Sequence, residues 1–298
     1  MSDKVDKDSL KNRHVVDVDL IKLYSFESVH NTPDEKALAD WIEEWLVSHK
    51  VSYTRDGDNF YRLDQLQEPI LSAHLDQVKT NGKAEHFYLT PEKHIVAYNK
   101  DWEQTSLGGD DKNGVWIILK MLEKELPINF IISAGEEVGC VGIKKLEDHK
   151  ILDQIEALDT WCIVLDRRGS DDVLDSGSGS TYCKTLAQDI CNYLGDMSVT
   201  SGSVSDTATI CEYCESVNMS VAYEKPHSAQ EHTDWIRLQC ICEYVEQLCT
   251  DFVHYPTPPS VYVKKTWYNS YTGYGKKGKD YEKDYDSWED RYAEIYGR

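Results

Sequence analysis

Four short apolar runs rich in β-forming residues, at 69–73, 128–133, 161–165 and 217–222, alternate along the chain with stretches of helical length and spacing. Each run is apolar almost without interruption, the pattern of a strand covered on both faces rather than one. Helices are read at 112–126, 141–149, 181–194, 205–216 and 229–252, after a first helix that starts at Thr32. There Thr32-Pro33-Asp34-Glu35 offers an N-cap, a proline at the first helical position and a capping-box glutamate. Leu38, Trp41, Ile42, Trp45 and Leu46 follow as one apolar stripe. Strands alternating with helices predict an α/β fold: a single three-layer domain, with a mostly parallel central sheet and helices on both faces.

A chain of 298 residues can bury one large core, and a composition change at 256-Pro-Thr-Pro-Pro-259 divides it. The reading is a catalytic domain over 1–255 and a Tyr/Lys/Asp-rich tail over 256–298 with little periodic apolar content. A net charge of −21 argues against nucleic acid as a partner. No apolar run reaches the roughly 18 to 20 residues of a membrane span, and the first residues are too charged for a signal peptide. A cytoplasmic protein without a membrane partner is therefore expected, as a monomer or one associating through its tail. Nine cysteines without a secretory signal point to reduced thiols. Cys211 and Cys214, with Cys240 and Cys242 downstream, invite a four-thiolate zinc site. Both pairs fall in stretches read as helix, so they are taken as small buried apolar residues.

The polar residues at the ends of the apolar runs carry the chemistry. His74 and Asp76 follow the first run, Glu136 and Glu137 the second and Asp166 the third. The crevice at the carboxyl ends of parallel strands is where open α/β sheets bind ligands. Asp76, two residues from His74, can hold its imidazole while the other ring nitrogen binds metal. Gly108-Gly109-Asp110-Asp111-Lys112 places an acidic pair at a helix start, with Asp110 the candidate to bridge two ions and helix capping the alternative. Adjacent glutamates point apart, so Glu137 can ligate while Glu136 faces water as a base. His227, after the last run, completes five metal-ligand positions, in preference to His232 in the helix expected next. Two imidazoles and three carboxylates suit a pair of Zn²⁺ ions, and such a donor set also accepts Co²⁺ or Mn²⁺.

This series resembles the co-catalytic zinc exopeptidase superfamily, which includes peptidase T, the glutamyl and leucyl aminopeptidases and related acylases. The resemblance runs roughly from Asp19 to Phe252 on motif order. It implies that His74, Asp110 and Asp166 hold one ion and that Asp110, Glu137 and His227 hold the other. It also implies Glu136 as general base and later acid, Asp76 as orienter of His74, and a cis peptide between Asp110 and Asp111. Ser205-Asp206-Thr207 is similar to a family segment near the substrate pocket, although an ordinary N-cap explains it equally well. The stretches between His74 and Asp110 and between Asp166 and His227 leave no room for the extra domains that many relatives insert. A near-minimal catalytic core is expected.

The implied activity is metal-dependent hydrolysis of peptide bonds, as an aminopeptidase acting on a peptide or small amide substrate. Arg167 and Arg168 are candidates to pair with a substrate carboxylate. The alternatives are an amidohydrolase, deacylase or glutaminyl-cyclase-like enzyme on the same fold, or a non-catalytic binding protein.

Overall fold

The computed structural model describes residues 16–177 and 179–263. Asp17 caps helix α1 (Val18–Tyr24), and Thr32 caps α2 (Pro33–Ser48) by accepting the Glu35 amide at 3.3 Å, with Pro33 in the first turn as expected. Strands β1 (Thr54–Asp56), β2 (Asn59–Arg62), β3 (Ile70–His74), β4 (His86–Leu89), β5 (His94–Tyr98) and β6 (Gln104–Thr105) lead to α3 (Gly109–Glu123). There follow β7 (Asn129–Ser133), α4 (Val141–Asp148), β8 (Trp161–Arg167), β9 (Asp172–Gly177), β10 (Ser180–Thr181), α5 (Leu186–Leu194) and β11 (Ser198–Gly202). The last elements are α6 (Thr207–Ile210), β12 (Glu215–Ser220), β13 (Tyr223–Glu224), β14 (His232–Asp234) and α7 (Trp235–Thr250).

The main sheet runs β1-β2-β7-β3-β8-β12-β9-β10, with β11 beside β9. Its centre, β7-β3-β8-β12, is parallel, and antiparallel pairs finish both sides. Side chains of the central strands divide between two cores. Leu71, Ala73, Phe130, Ile132, Trp161, Ile163 and Leu165 pack with α1, α2, α3, α5 and α7, while Ile70, Ile131, Cys162 and Val164 pack with α4 and Ile210 of α6. This alternation is why the runs of β3, β7 and β8 read as continuously apolar, whereas in β12 Val217 and Met219 enter the first core and the alternate residues Asn218 and Ser220 are buried polar ones. The fold is therefore the expected three-layer α/β arrangement.

Three helices begin later than expected, each for a local reason. The stretch 181–194 is helical only from Leu186, because the amides of Lys184 and Thr185 are taken by Glu215 at 2.7 and 3.3 Å. Of 205–216 only Thr207–Ile210 is helical, since Glu215 and Ser216 already pair with Trp161 and Cys162. The helix read from 229 begins at Trp235: Thr233 and Asp234 pair with Ile95 and His94, and the Asp234 carboxylate then accepts the Arg237 amide at 3.0 Å. His232 thus lies on a strand.

A second, antiparallel sheet, β13-β14-β5-β4 with β6 beside β5, joins the segment between His74 and Asp110 to that around His227. Cys211, Cys214 and Cys242 are buried among apolar neighbours. None of these cysteines, nor Cys240, falls in a metal-competent group among the described residues. The compact unit continues through Val263, with Tyr262 buried; the remainder of the expected tail, from 264, lies outside the described residues. No helix among the described residues is long and apolar enough to cross a membrane.

Candidate metal centre

The carboxyl ends of β7, β3 and β8 lie side by side, and they deliver Glu136 with Glu137, His74, and Asp166 to one rim. Asp110 enters from the start of α3 after Gly108, whose φ of +68° suits glycine and where a Cβ would meet Gln77 Oε1 at 2.5 Å. Asp110 and Asp111 have non-helical backbone, and the peptide between them is cis, as the resemblance implies. His227 comes from the loop between β13 and β14.

His74, Asp110 and Asp166 form one group whose donor atoms lie within 4.8 Å of one another, and Asp110, Glu137 and His227 form a second. His74 Nε2 is 3.4 Å from Asp110 Oδ1 and 3.5 Å from Asp166 Oδ1, and it is buried with no hydrogen-bond partner. His227 Nε2 is 3.3 Å from Asp110 Oδ2 and donates to Glu137 Oε1 at 2.8 Å. Two ligands about 2.1 Å from a tetrahedral ion stand about 3.4 Å apart. Three of the four contacts have that spacing, and Asp110 turns one oxygen to each imidazole. The donor set therefore fits two cations that share one carboxylate.

The electrostatics ask for the same thing. Burial first, then repulsion from Asp110 and Glu137 against the pull of His74, pushes Asp166 up to about 7. Burial and the Asp166 charge hold Glu136 well above the usual carboxylate range. Burial works against a charged His227, yet hydrogen bonds to Asp110 and Glu137 raise it to about 11. Too many acids for the available positive charge is a demand that divalent cations meet.

Around the ligands, His74 Nδ1 donates to the Asp76 backbone carbonyl at 3.0 Å, while the Asp76 carboxylate stands at 3.5 Å. That carboxylate instead accepts the amides of Glu136 and Glu137 at 2.9 and 3.1 Å, so Asp76 shapes the acidic turn as well as bordering the imidazole. Glu136 belongs to neither triad. It groups with Cys140, whose thiol lies 3.7 Å from Glu136 Oε1, and with Asp206. Asp206 is buried and accepts from Ser133, and its side chain makes no helix cap. Within Ser205-Asp206-Thr207 it is Ser205 whose hydroxyl accepts the Thr207 amide, at 3.4 Å. Arg167 donates twice to Asp172, at 3.1 and 3.0 Å, and Arg168 is exposed. His232 stacks on His94 with ring centroids 4.7 Å apart, outside both triads.

Three buried residues here escape the sequence reading: Tyr223, whose hydroxyl lies 3.4 Å from Asp166 Oδ1; Lys112, which donates to the Phe26 carbonyl and Gln77; and Glu231. The one available signal is position, since each of the three lies within four residues of a candidate ligand.

No protein-family model and no curated protein matches the sequence. Solved structures do match its fold. Aminopeptidase PepT from Bacillus cereus superposes with a TM-score of 0.63 at 16% identity, over 78% of this chain and 96% of that one. A tripeptidase from Staphylococcus aureus gives 0.61 at 14%, over 77% and 95%. A Bacteroides thetaiotaomicron glutaminyl cyclase bound to N-acetylhistamine gives 0.56 at 15%, over 79% and 95%. The chain thus shares the fold of these structures. At these identities the likeness is one of fold.

Proposed function

We propose that this chain is a dinuclear metal-dependent aminopeptidase with zinc as its metal, Co²⁺ and Mn²⁺ being the alternatives. The observation that carries the reading is the division of Asp110: Oδ1 faces His74 and Oδ2 faces His227, so two triads share one carboxylate. His74, Asp110 and Asp166 would hold one ion, and Asp110, Glu137 and His227 the other. When bound, the pair supplies the Lewis acidity that activates water and polarises a substrate carbonyl. Glu136, half-buried beside the proposed ligands but in neither triad, takes the proton from the attacking water and passes it to the leaving amine. Asp76 fixes the turn that keeps Glu136 and Glu137 pointing apart. Arg167 is held by Asp172, so a contact to a substrate carboxylate falls to Arg168. A monomer in the cytoplasm, with a peptide as substrate, completes the proposal, and the catalytic domain expected over 1–255 extends through Val263.

The likeness to PepT and the tripeptidase supports a free-amine peptide as substrate. The likeness to a glutaminyl cyclase supports a second reading, an enzyme acting on N-terminal glutamine or on non-peptide amides. A panel of free-amine peptides, N-acyl amino acids and glutaminyl peptides separates the two. Glu136→Gln tests the chemistry: it should bind two equivalents of metal and lose hydrolysis about 100-fold or more. Hydrolysis at the parent rate with full metal content would end the mechanism proposed here.

A further inference from the structure

Glu231 is 1% exposed, yet its carboxylate is fully engaged. Oε2 accepts from the Ser106 hydroxyl and, at 2.8 Å, from the Gly108 amide, while Oε1 accepts from the Asp110 amide at 3.1 Å. Three donors offset much of the cost of burying a carboxylate. Two of them are backbone amides at the bend into α3, where Gly108 is left-handed and Asp110 is non-helical. The first turn of a helix has no internal partners for its amides, so an outside acceptor decides where this backbone sits. One of those amides belongs to the residue whose two oxygens face the two imidazoles. Glu231 also lies in the loop that carries His227, so one short segment presents a ligand and grips the shared one.

We propose that Glu231 is a positioning residue, which fixes Asp110 through its main-chain amide so that the Asp110 carboxylate stays divided between the two cation sites. The proposal rests on the dinuclear reading above. It has a signature that a general loss of stability lacks. Asp110 belongs to both triads, so loosening it weakens both ions; a disturbance carried by the 227–231 loop alone would reach only the triad that contains His227.

The experiment titrates metal-free parent and Glu231→Gln with Co²⁺, following visible absorption and calorimetric stoichiometry. In the variant an NH₂ group faces one set of donors in place of an acceptor. Both affinities should fall by about 10- to 100-fold, with altered d–d bands and an unchanged far-ultraviolet circular dichroism spectrum. Unchanged affinities, or a loss confined to one ion, would overturn the proposal. A parent that takes up no cobalt would instead refute the dinuclear reading itself. Amide hydrogen exchange in the metal-free parent gives a second test that needs neither variant nor metal. The Gly108 and Asp110 amides should exchange far more slowly than exposed loop amides, and exchange at the exposed-loop rate would overturn the assignment even if the variant failed to fold.

Discussion

Glu137 and Asp110 are both acidic and both near His227, yet they differ in how many partners they serve. Asp110 faces both imidazoles, with Oδ1 3.4 Å from His74 and Oδ2 3.3 Å from His227, whereas Glu137 pairs with one of the two, His227. Replacing each should therefore cost different numbers of ions. Glu137→Gln is expected to keep one tightly held equivalent of metal and lose the other, as read by metal analysis after dialysis. Equal loss of both ions would show that the triads are wrongly drawn. The contrast also explains why the choice of His227 over His232 matters. The two imidazoles are close in sequence, but His232 is committed to β14 and stacks on His94, while His227 sits on the loop facing Asp110.

Helix α3 brings Asp110 to Asp166 because it can lie close on β8. Gly114 is the point of approach: a Cβ there would meet the Leu165 carbonyl at 2.2 Å and Asp111 Oδ1 at 2.6 Å. Gly114→Ala should cost about 1–3 kcal/mol by overpacking and lower metal affinity by moving the helix that carries Asp110. Chemical denaturation with and without bound metal checks both effects, and an unchanged midpoint would refute the packing argument. At this scale the sequence is most readable where burial is two-sided, because β3, β7 and β8 have no polar face to blur their apolar runs. The candidate site residues at their ends are legible for the same reason: His74, Glu136, Glu137 and Asp166 interrupt an apolar pattern. Strands β4 and β5 are half exposed, with His86, Tyr88, His94 and Tyr98 among their residues, so they pass for loop and the second sheet goes unread. Glu231 fails differently. It is a buried acid in a polar stretch, and nothing local distinguishes it from a solvated one, since its partner Asp110 is distant in sequence.

The whole molecule is strongly acidic, with a net charge of −21, so its pH response depends on which carboxylates the fold actively holds charged. Glu215, at the start of β12 and fully buried, ties the chain after α7 back to the sheet: it accepts from the amides of Lys184 and Thr257 at 2.7 and 2.8 Å and pairs with His254 at 2.7 Å. Burial alone would raise its pKa, but His254 and the backbone amides outweigh that and lower it. A group whose folded pKa lies below its unfolded value contributes stability above the unfolded value, about 4.3 for glutamate, and loses it as pH falls through the folded one. Glu215→Gln should therefore destabilise the protein by about 1–3 kcal/mol at neutral pH, because one amide oxygen cannot satisfy all these donors. As pH falls below the ordinary glutamate range and through the lowered folded value, the parent carboxylate gains its proton, and the gap between parent and variant should narrow. Urea denaturation of metal-free protein across that range measures the gap while leaving the metal centre out of the comparison. A constant difference down to the acid end would mean that Glu215 stabilises by packing rather than by charge.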